Sequence, residues 1–498
     1  MLDHHDLRGE VVAPTRSPDV LRQLIAGDPS PRRVLISGAA IITMDPEIRD
    51  LRAGDILIED DTIVAVAEDL SEAANDGQSI QVDASGTVAI PGLQDTHRHC
   101  WQNQLRRLIP DCDDNKAYLD VTHRWLGHFY RPEDIYVGNL ISALGALDTG
   151  TTCVLDFFHN ARTPAHSDAA ITAFNDTGIR YTHVSCGPMT GEWDGSWPAD
   201  VPRLQEQYFN STNQLGTIRL GAIGAEFAPD HIALNPQRVR EARALGIDFV
   251  SDGVVGPPCS RKINELAAAG LLGPHLSLIH CLDLSDDAWR LIAESGTHVS
   301  LPTTSDANIG IYESVPAVQR ALDFGVRPSL SVDVEVCLTS DMFTQMRTVY
   351  SIQRMRAFER RYNGQDYPEA VRVKDVLDFA TVQGARGNGV IDRCGTLTPG
   401  KSADLVLITA DEFNTMPLNN AYGTVVSAAD TRNVDTVMVA GQIKKFDGRL
   451  VGWDRHAVAR LVEESRDHIL QTAGFDLDVF EQTVGFLAPG DEPSLRPE

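Results

Sequence analysis

The strongest constraint on the fold of this chain is an alternation. Short apolar runs recur over about 300 residues, at 88–90, 153–157, 180–184, 220–223, 249–250, 276–279, 298–300 and 328–332. Helical spacing fills the gaps, as at 132–147 and 286–295. Repeated strand–helix units predict a parallel sheet. Eight of them predict a closed (β/α)8 barrel, an α/β fold whose chemistry sits at the carboxyl ends of the strands.

A second pattern brackets the first. Val34-Leu35-Ile36, Ile56-Leu57-Ile58 and Ile63-Val64 are β-branched runs separated by Gly or Asp-Asp turns, and a matching set returns at 404–408, 434–439 and 443–446. Such runs read as small antiparallel strands. The expected organisation is an amino-terminal tail at 1–32, a small discontinuous β-sandwich domain at 33–88 and 396–452, the barrel at 89–395, and a carboxy-terminal helical extension at 453–498.

Charge narrows the partners. With 43 Lys+Arg against 70 Asp+Glu the net charge is −27, and the resulting field repels polyanions, which argues against nucleic acid and anionic membranes. No run approaches the roughly 20 apolar residues that span a bilayer. The first ten residues have neither a basic segment nor an apolar core of the secretory kind. The expectation is a cytoplasmic protein, a homo-oligomer, acting on a small molecule. Eight cysteines without a Cys-x-x-Cys pair predict reduced, mostly buried thiols.

The chemistry is concentrated at Ile90-Pro91-Gly92-Leu93-Gln94-Asp95-Thr96-His97-Arg98-His99. On a strand, residues i and i+2 share a face, so His97 and His99 present two imidazoles to one point while Arg98 faces away. Two such nitrogens are half of a tetrahedral metal site. With Pro91-Gly92-Leu93, Ile279-His280-Cys281, Ser331-Val332-Asp333 and the stretch from Gly395 to Leu405, the chain from about residue 33 to 450 resembles the amidohydrolase superfamily. The similarity is to the branch containing cytosine deaminase, guanine deaminase and the triazine hydrolases.

That resemblance implies roles. His97 and His99 match first-strand metal ligands. Asp333 matches the carboxylate that touches the metal and takes the proton of the attacking water, and His280 matches the sixth-strand histidine that polarises substrate or holds water. One departure stands out. Where the family carries a ligand histidine after the fifth strand, often followed by a proton-transferring glutamate, this chain reads Ile247-Asp248-Phe249-Val250-Ser251-Asp252-Gly253. Three arrangements are compatible with it: Asp252 replaces the imidazole, His280 or His159 supplies a third nitrogen, or the metal is weak or lost. Zinc is the expected ion, and iron, manganese or cobalt suit the same donors.

Four further residues are expected to line the pocket. Trp101 and Gln102 follow the histidine pair, with a buried structural Trp as the alternative. His159 ends the second strand. Glu226 falls where the fourth strand should end, as an acid/base, a substrate-amine contact, or a partner for a barrel Arg or Lys. Substrate choice is expected in barrel loops such as 187–202, with Trp193 and Trp197. Gly395-x-x-x-x-Gly400-Lys401-Ser402 matches the phosphate-loop pattern in letters, but a strand pattern follows it where the mechanism needs a helix. The expected activity is metal-assisted hydrolysis of a non-peptide C–N bond. A repurposed lyase or isomerase with weak or absent metal, and a non-catalytic small-molecule-binding protein, are the alternatives.

Overall fold

The computed structural model describes residues 18–26, 32–75, 77, 79–112, 114–311 and 315–480. Two sheets organise it. Five strands come first, β1 (Arg33–Ile41), β2 (Leu51–Glu59), β3 (Thr62–Ala67), β4 (Ile80–Asp83) and β5 (Thr87–Pro91). The barrel strands follow as β6 (Leu93–Arg98), β7 (Thr151–Phe158), β8 (Arg180–Ser185), β9 (Gly216–Ile223), β10 (Asp248–Val255), β11 (Leu276–Leu282), β12 (His298–Leu301) and β13 (Ser329–Leu330). The chain then returns through β14 (Leu405–Thr409), β15 (Val434–Val439), β16 (Gln442–Phe446) and β17 (Arg449–Leu450).

Strands β6 to β13 pair in chain order as a parallel sheet. The ends meet where the main chains of His97 and His99 exchange hydrogen bonds with Asp333, at 2.8 and 2.9 Å. This is the expected (β/α)8 barrel, with helices such as Pro132–Asp148, Pro236–Ala244 and Asp286–Ser295 in the crossovers. Both faces of its strands are covered, so β7 is buried at all eight positions.

The other nine strands form one sheet drawn from both ends of the chain, β5 pairing antiparallel with β14 from Pro91 opposite Leu405 to Thr87 opposite Thr409. It has its own core, including Ile36, Ile56, Ile63, Leu405, Leu407 and Met438. One strand belongs elsewhere than the sequence suggested. The run at 88–90 is β5 of this sheet, and the barrel begins only at Leu93. The chain changes partners at Gly92, whose N–H goes to Asp404 while that of Leu93 goes to Gly150. Gly92 is required there because a Cβ would stand 2.0 Å from Thr152 Oγ1.

Asp404 fastens the two sheets together. It accepts from Arg180 Nε at 2.8 Å and Nη2 at 2.9 Å, both groups being buried, and from the Ala440 N–H at 2.8 Å. Lys401, the lysine of the phosphate-loop look-alike, donates to the carbonyls of Ile391 and Cys394, and strand β14 follows it. Helix Arg455–Thr472 packs on Pro132–Asp148, with Ser465 Oγ donating to Asp134. Of the expected terminal segments, residues 1–17, 27–31 and 481–498 lie outside the described residues. Among the described residues no helix is long and apolar enough to cross a membrane.

Candidate metal and active site

The carboxyl ends of β6, β10, β11 and the turn after β13 bring five side chains to one place. His97 Nε2 and His99 Nε2 lie 3.1 and 3.2 Å from Asp333 Oδ1. Each is also 3.5 Å from an oxygen of Asp252, and His280 Nε2 is 3.2 Å from Asp252 Oδ1. All five residues are buried. Two of them bear backbone strain, since His280 at φ 73° and Asp333 at φ 69° occupy the left-handed region that β-carbons disfavour.

Supporting contacts aim these groups. His99 Nδ1–H donates to the Phe157 carbonyl at 3.2 Å, which leaves the Nε2 lone pair facing the carboxylates. His280 Nδ1–H donates to Asp306 at 2.7 Å, and Ser305 Oγ–H donates to Asp333 Oδ2. The Gly253 N–H holds Asp252 Oδ1, with Gly253 at φ 62°. Arg98 points away from the site into a buried cluster with Asp95 and Glu335.

The residues fit a divalent ion. Ligands about 2.0–2.1 Å from a tetrahedral centre stand about 3.3 Å from one another; His97 and His99 meet that spacing at one shared oxygen of Asp333, 3.1 and 3.2 Å away, and each reaches a different oxygen of Asp252 at 3.5 Å. The cluster also calls for positive charge. Burial disfavours a charged His99 ring, yet hydrogen bonds to Asp252 and Asp333 hold its pKa up, to about 10. Burial likewise works against ionised Asp252 and Asp333. For Asp252 the charge of His97, for Asp333 the hydrogen bond to His97, and for both the neighbouring histidines outweigh it and push the carboxyls well below the usual range.

A cavity of about 50 Å³ opens onto the cluster. His99, His159, Asp252, His280 and Asp333 face it, with Tyr118, His123 and Ser305 as further polar walls and Met189, Phe227, Ile309 and Ile311 among the apolar ones. No Lys or Arg lines it among the described residues. Ligand pockets are typically some 300 Å³ or more, so a ring-sized substrate requires the apolar walls to shift. A larger cleft of about 480 Å³ beside Trp289 and Arg320 contains none of the site's histidines or carboxylates.

Not every residue expected at the pocket is there. His159 is. Trp101 and Gln102 lie behind its wall, because the chain turns into a 3-10 helix at Cys100–Leu105 whose side chains are all buried. Trp101 Nε1–H donates to His159 Nδ1 at 3.1 Å and Gln102 Nε2–H to Tyr118 Oη at 2.8 Å. Glu226 is a correction. Strand β9 ends at Ile223, and Glu226 stands at the surface, 62% exposed, paired with Arg261 at 3.1 Å. Trp193 and Trp197 also stay out of the cavity, Trp193 stacking on His231 and Trp197 lying under Arg238. Sequence reasoning missed Tyr118, His123, Ser305 and Asp306. The first two come from an irregular stretch without periodicity, whereas Ser305-Asp306 lies just beyond the seventh barrel strand, a position that could have been searched.

A family model described as "Amidohydrolase family" matches residues 243–444. Over 457 residues the chain is 23% identical to a 5'-deoxyadenosine deaminase of Methanosarcina barkeri, covering 88% of this chain and 98% of that one. Residues 243–444 form an amidohydrolase family domain. Among solved structures, the chain is similar to an adenosine deaminase of Xanthomonas campestris with bound zinc, with TM-score 0.74, 22% identity, and coverage of 89% and 100% of the two chains. It is also similar to an atrazine chlorohydrolase of Arthrobacter aurescens complexed with zinc, with TM-score 0.74, 21% identity, and coverage of 87% and 100%.

Proposed function

We propose that this protein is a metal-dependent hydrolase that cleaves a C–N bond, other than a peptide bond, in a small neutral or cationic organic molecule. The observation that carries the reading is a pair of overlapping ligand triads, His97–His99–Asp333 and His97–Asp252–His280, buried at the base of a cavity. The curated relative named above is a deaminase, and the solved neighbours carry zinc. His97, His99, Asp333 and Asp252 would hold the ion, zinc being our assignment with iron, manganese or cobalt as substitutes.

A bound divalent ion supplies an acidified water and charge stabilisation at the reacting carbon. The chain's own groups do the rest. Asp333 is ionised at neutral pH and accepts a proton from the attacking water, its second oxygen steadied by Ser305. It returns that proton to the departing nitrogen, so water adds to carbon, the C–N bond breaks and an amine or ammonia leaves. His280, held between Asp306 and Asp252, keeps a fixed orientation toward the reacting atoms. The absence of Lys and Arg from the cavity wall among the described residues disfavours carboxylate- or phosphate-bearing substrates and supports neutral or cationic ones.

The test pairs elemental analysis with a panel of amine-bearing heterocycles, 5'-deoxyadenosine and melamine among them, read by ammonia release. About one metal per chain, lost in His97→Ala, together with turnover of a panel member supports the reading. Absence of metal after growth and purification with added zinc refutes it. A cytoplasmic location and a homo-oligomeric state complete the proposal. Eight cysteines that are all buried free thiols support the first. The exposed Met355, Phe358 and Tyr362 on helix Met342–Tyr362 support the second, to be measured by light scattering.

A further inference from the structure

We infer that His159 reads an acceptor atom of the substrate through its Nε2–H, and that Trp101 acts as a positioning residue by fixing the tautomer this requires. The inference deepens the proposed hydrolase reading and rests on it for the nature of the ligand.

Trp101 Nε1–H is a donor only, and it lies 3.1 Å from His159 Nδ1. A neutral imidazole has one donor and one acceptor nitrogen. With Nδ1 accepting from Trp101, the ring proton sits on Nε2. That placement has two consequences. Nε2 has no lone pair for a cation, so His159 is not a ligand, although a nitrogen of its ring lies within 4.8 Å of ligand atoms on His99 and Asp252. The third-ligand role considered for it above is thereby removed. The second consequence is that an N–H donor is presented to the cavity that His159 lines. Among the described residues, Nε2 has no hydrogen-bond partner in the protein.

The ring cannot readily turn to hide this donor. It stacks on His99 with centroids 4.2 Å apart and planes at 18°, and the edge of His123 closes on it at 4.3 Å. A fixed N–H beside the reacting carbon selects for a carbonyl oxygen or an unprotonated ring nitrogen. An ammonium or ring N–H at the same position would set donor against donor. The ligand class is therefore a neutral carbonyl compound or heteroaromatic ring whose acceptor adjoins the scissile C–N bond. The hydrogen bond draws electron density from that carbon without moving a proton. This chain lacks the glutamate that its family often places after the fifth strand, and such a donor offers another way to polarise the ring.

Three variants test the inference. In protein labelled with 15N-histidine, two-bond couplings distinguish Nε2–H from Nδ1–H rings, and the signal lost in His159→Phe identifies His159. That signal is expected to show the Nε2–H form in the unmodified protein and a mixture of tautomers in Trp101→Phe. An Nδ1–H signal, or one that Trp101→Phe leaves unmoved, overturns the inference. Zinc content of His159→Phe is expected to equal that of the unmodified protein, and loss of zinc would make His159 a ligand after all. With whichever panel heterocycle is turned over, kcat/KM should fall about tenfold or more in His159→Phe, a figure typical of a lost substrate hydrogen bond. It should fall less in His159→Gln, which keeps an N–H donor, and equal losses count against the inference. The spectroscopic and metal measurements need no substrate, so failure of the hydrolase reading and failure of this one are separable.

Discussion

Replacing Glu335 by Gln should loosen the candidate metal site from behind. Glu335 lies two residues beyond Asp333, and its fully enclosed carboxylate accepts from Arg98 Nη1 at 2.9 Å, Asn103 Nδ2 at 2.6 Å and Arg106 Nε at 2.5 Å. Arg98 is equally enclosed and sits between His97 and His99. Its Nε–H donates to Asp95 Oδ2 at 2.7 Å and its Nη2–H to the Ser340 carbonyl at 3.0 Å. Asp95 in turn accepts the main-chain N–H groups of His97 and Val332. One guanidinium thus ties the strand bearing two candidate ligands to the turn bearing a third. Burial opposes ionisation of Glu335, but the charges of Arg106 and Arg98 outweigh it and hold the carboxyl below its ordinary range. Glu335→Gln keeps the shape and removes the charge, leaving buried Arg98 with Asp95 alone. Breaking a buried ion pair from one side costs about 3–5 kcal/mol. At about 2.1 cal/mol/K per residue over 498 residues, the melting entropy is about 1 kcal/mol/K, so Tm should fall by about 3–5 °C. Zinc affinity should fall about 10- to 100-fold, as for other residues that orient ligands. Differential scanning calorimetry and chelator competition measure the two, and a cycle with Arg98→Met should give a coupling of about 1–3 kcal/mol. A Tm drop under 1 °C with unchanged zinc affinity would refute the reasoning.

Three other outcomes are expected. Burial works against ionised Asp404, but Arg180 wins and its pKa lies below the ordinary value; the stability it contributes is present above pH ~4 and is lost as pH falls through the folded value. Melts of Asp404→Asn should therefore lie below those of the unmodified protein at pH 7 and converge with them below pH ~4; a gap that widens in acid would contradict this. Glu226→Gln should change kcat/KM by less than twofold on any turned-over panel member, because the side chain is at the surface with Arg261. Asp252→Asn should lower zinc affinity at least tenfold in a chromophoric-chelator competition while Asp252→His retains it, and equal affinity in all three proteins would remove Asp252 from the ligand set.

What could be read in the sequence follows from how local each signal is. His97 and His99 are legible because the two-residue period of a strand fixes their common face, and Asp333 and His280 because they close apolar runs. Asp252 is visible as a departure because the strand around it is intact. The run at 88–90 misleads for a physical reason. A fully buried strand carries no alternation, so β5 reads the same in either sheet, and only the switch of partners at Gly92 separates them. Glu226 misleads because β9 stops at Ile223 and the chain turns outward, where Glu226 and Gly224 meet Arg261 and Lys262 of helix Gly256–Ala268, beyond the following strand. Trp101 and Gln102 are adjacent in sequence to the candidate ligands yet folded behind them. Their contacts, His159 and Tyr118, are 58 and 16 residues away. No local pattern announces such a pairing.

The substitution at Asp252 and the donors around the cavity belong to one argument. A divalent ion held by neutral histidines and a single carboxylate leaves a centre of net charge +1. Held by both Asp252 and Asp333, the same ion leaves a centre of net charge zero. A neutral centre stabilises negative charge developing on the substrate less well, and the shortfall falls on fixed hydrogen-bond donors, which in a water-poor cavity act at low effective dielectric. His159 supplies one at the cavity wall without adding charge, and the neighbouring His123 and Tyr118 there are neutral. Burial keeps His123 and His159 well below their ordinary pKa, so both are neutral, and burial also keeps the Tyr118 hydroxyl protonated. An acidic candidate ligand set with a neutral donor beside it suits a substrate that arrives uncharged or positive and becomes more electron-rich as water adds. On this reasoning the fifth-strand carboxylate and the indole-held His159 compensate for one another, and the loss in kcat/KM from His159→Phe should be smaller in an Asp252→His background than in the native one.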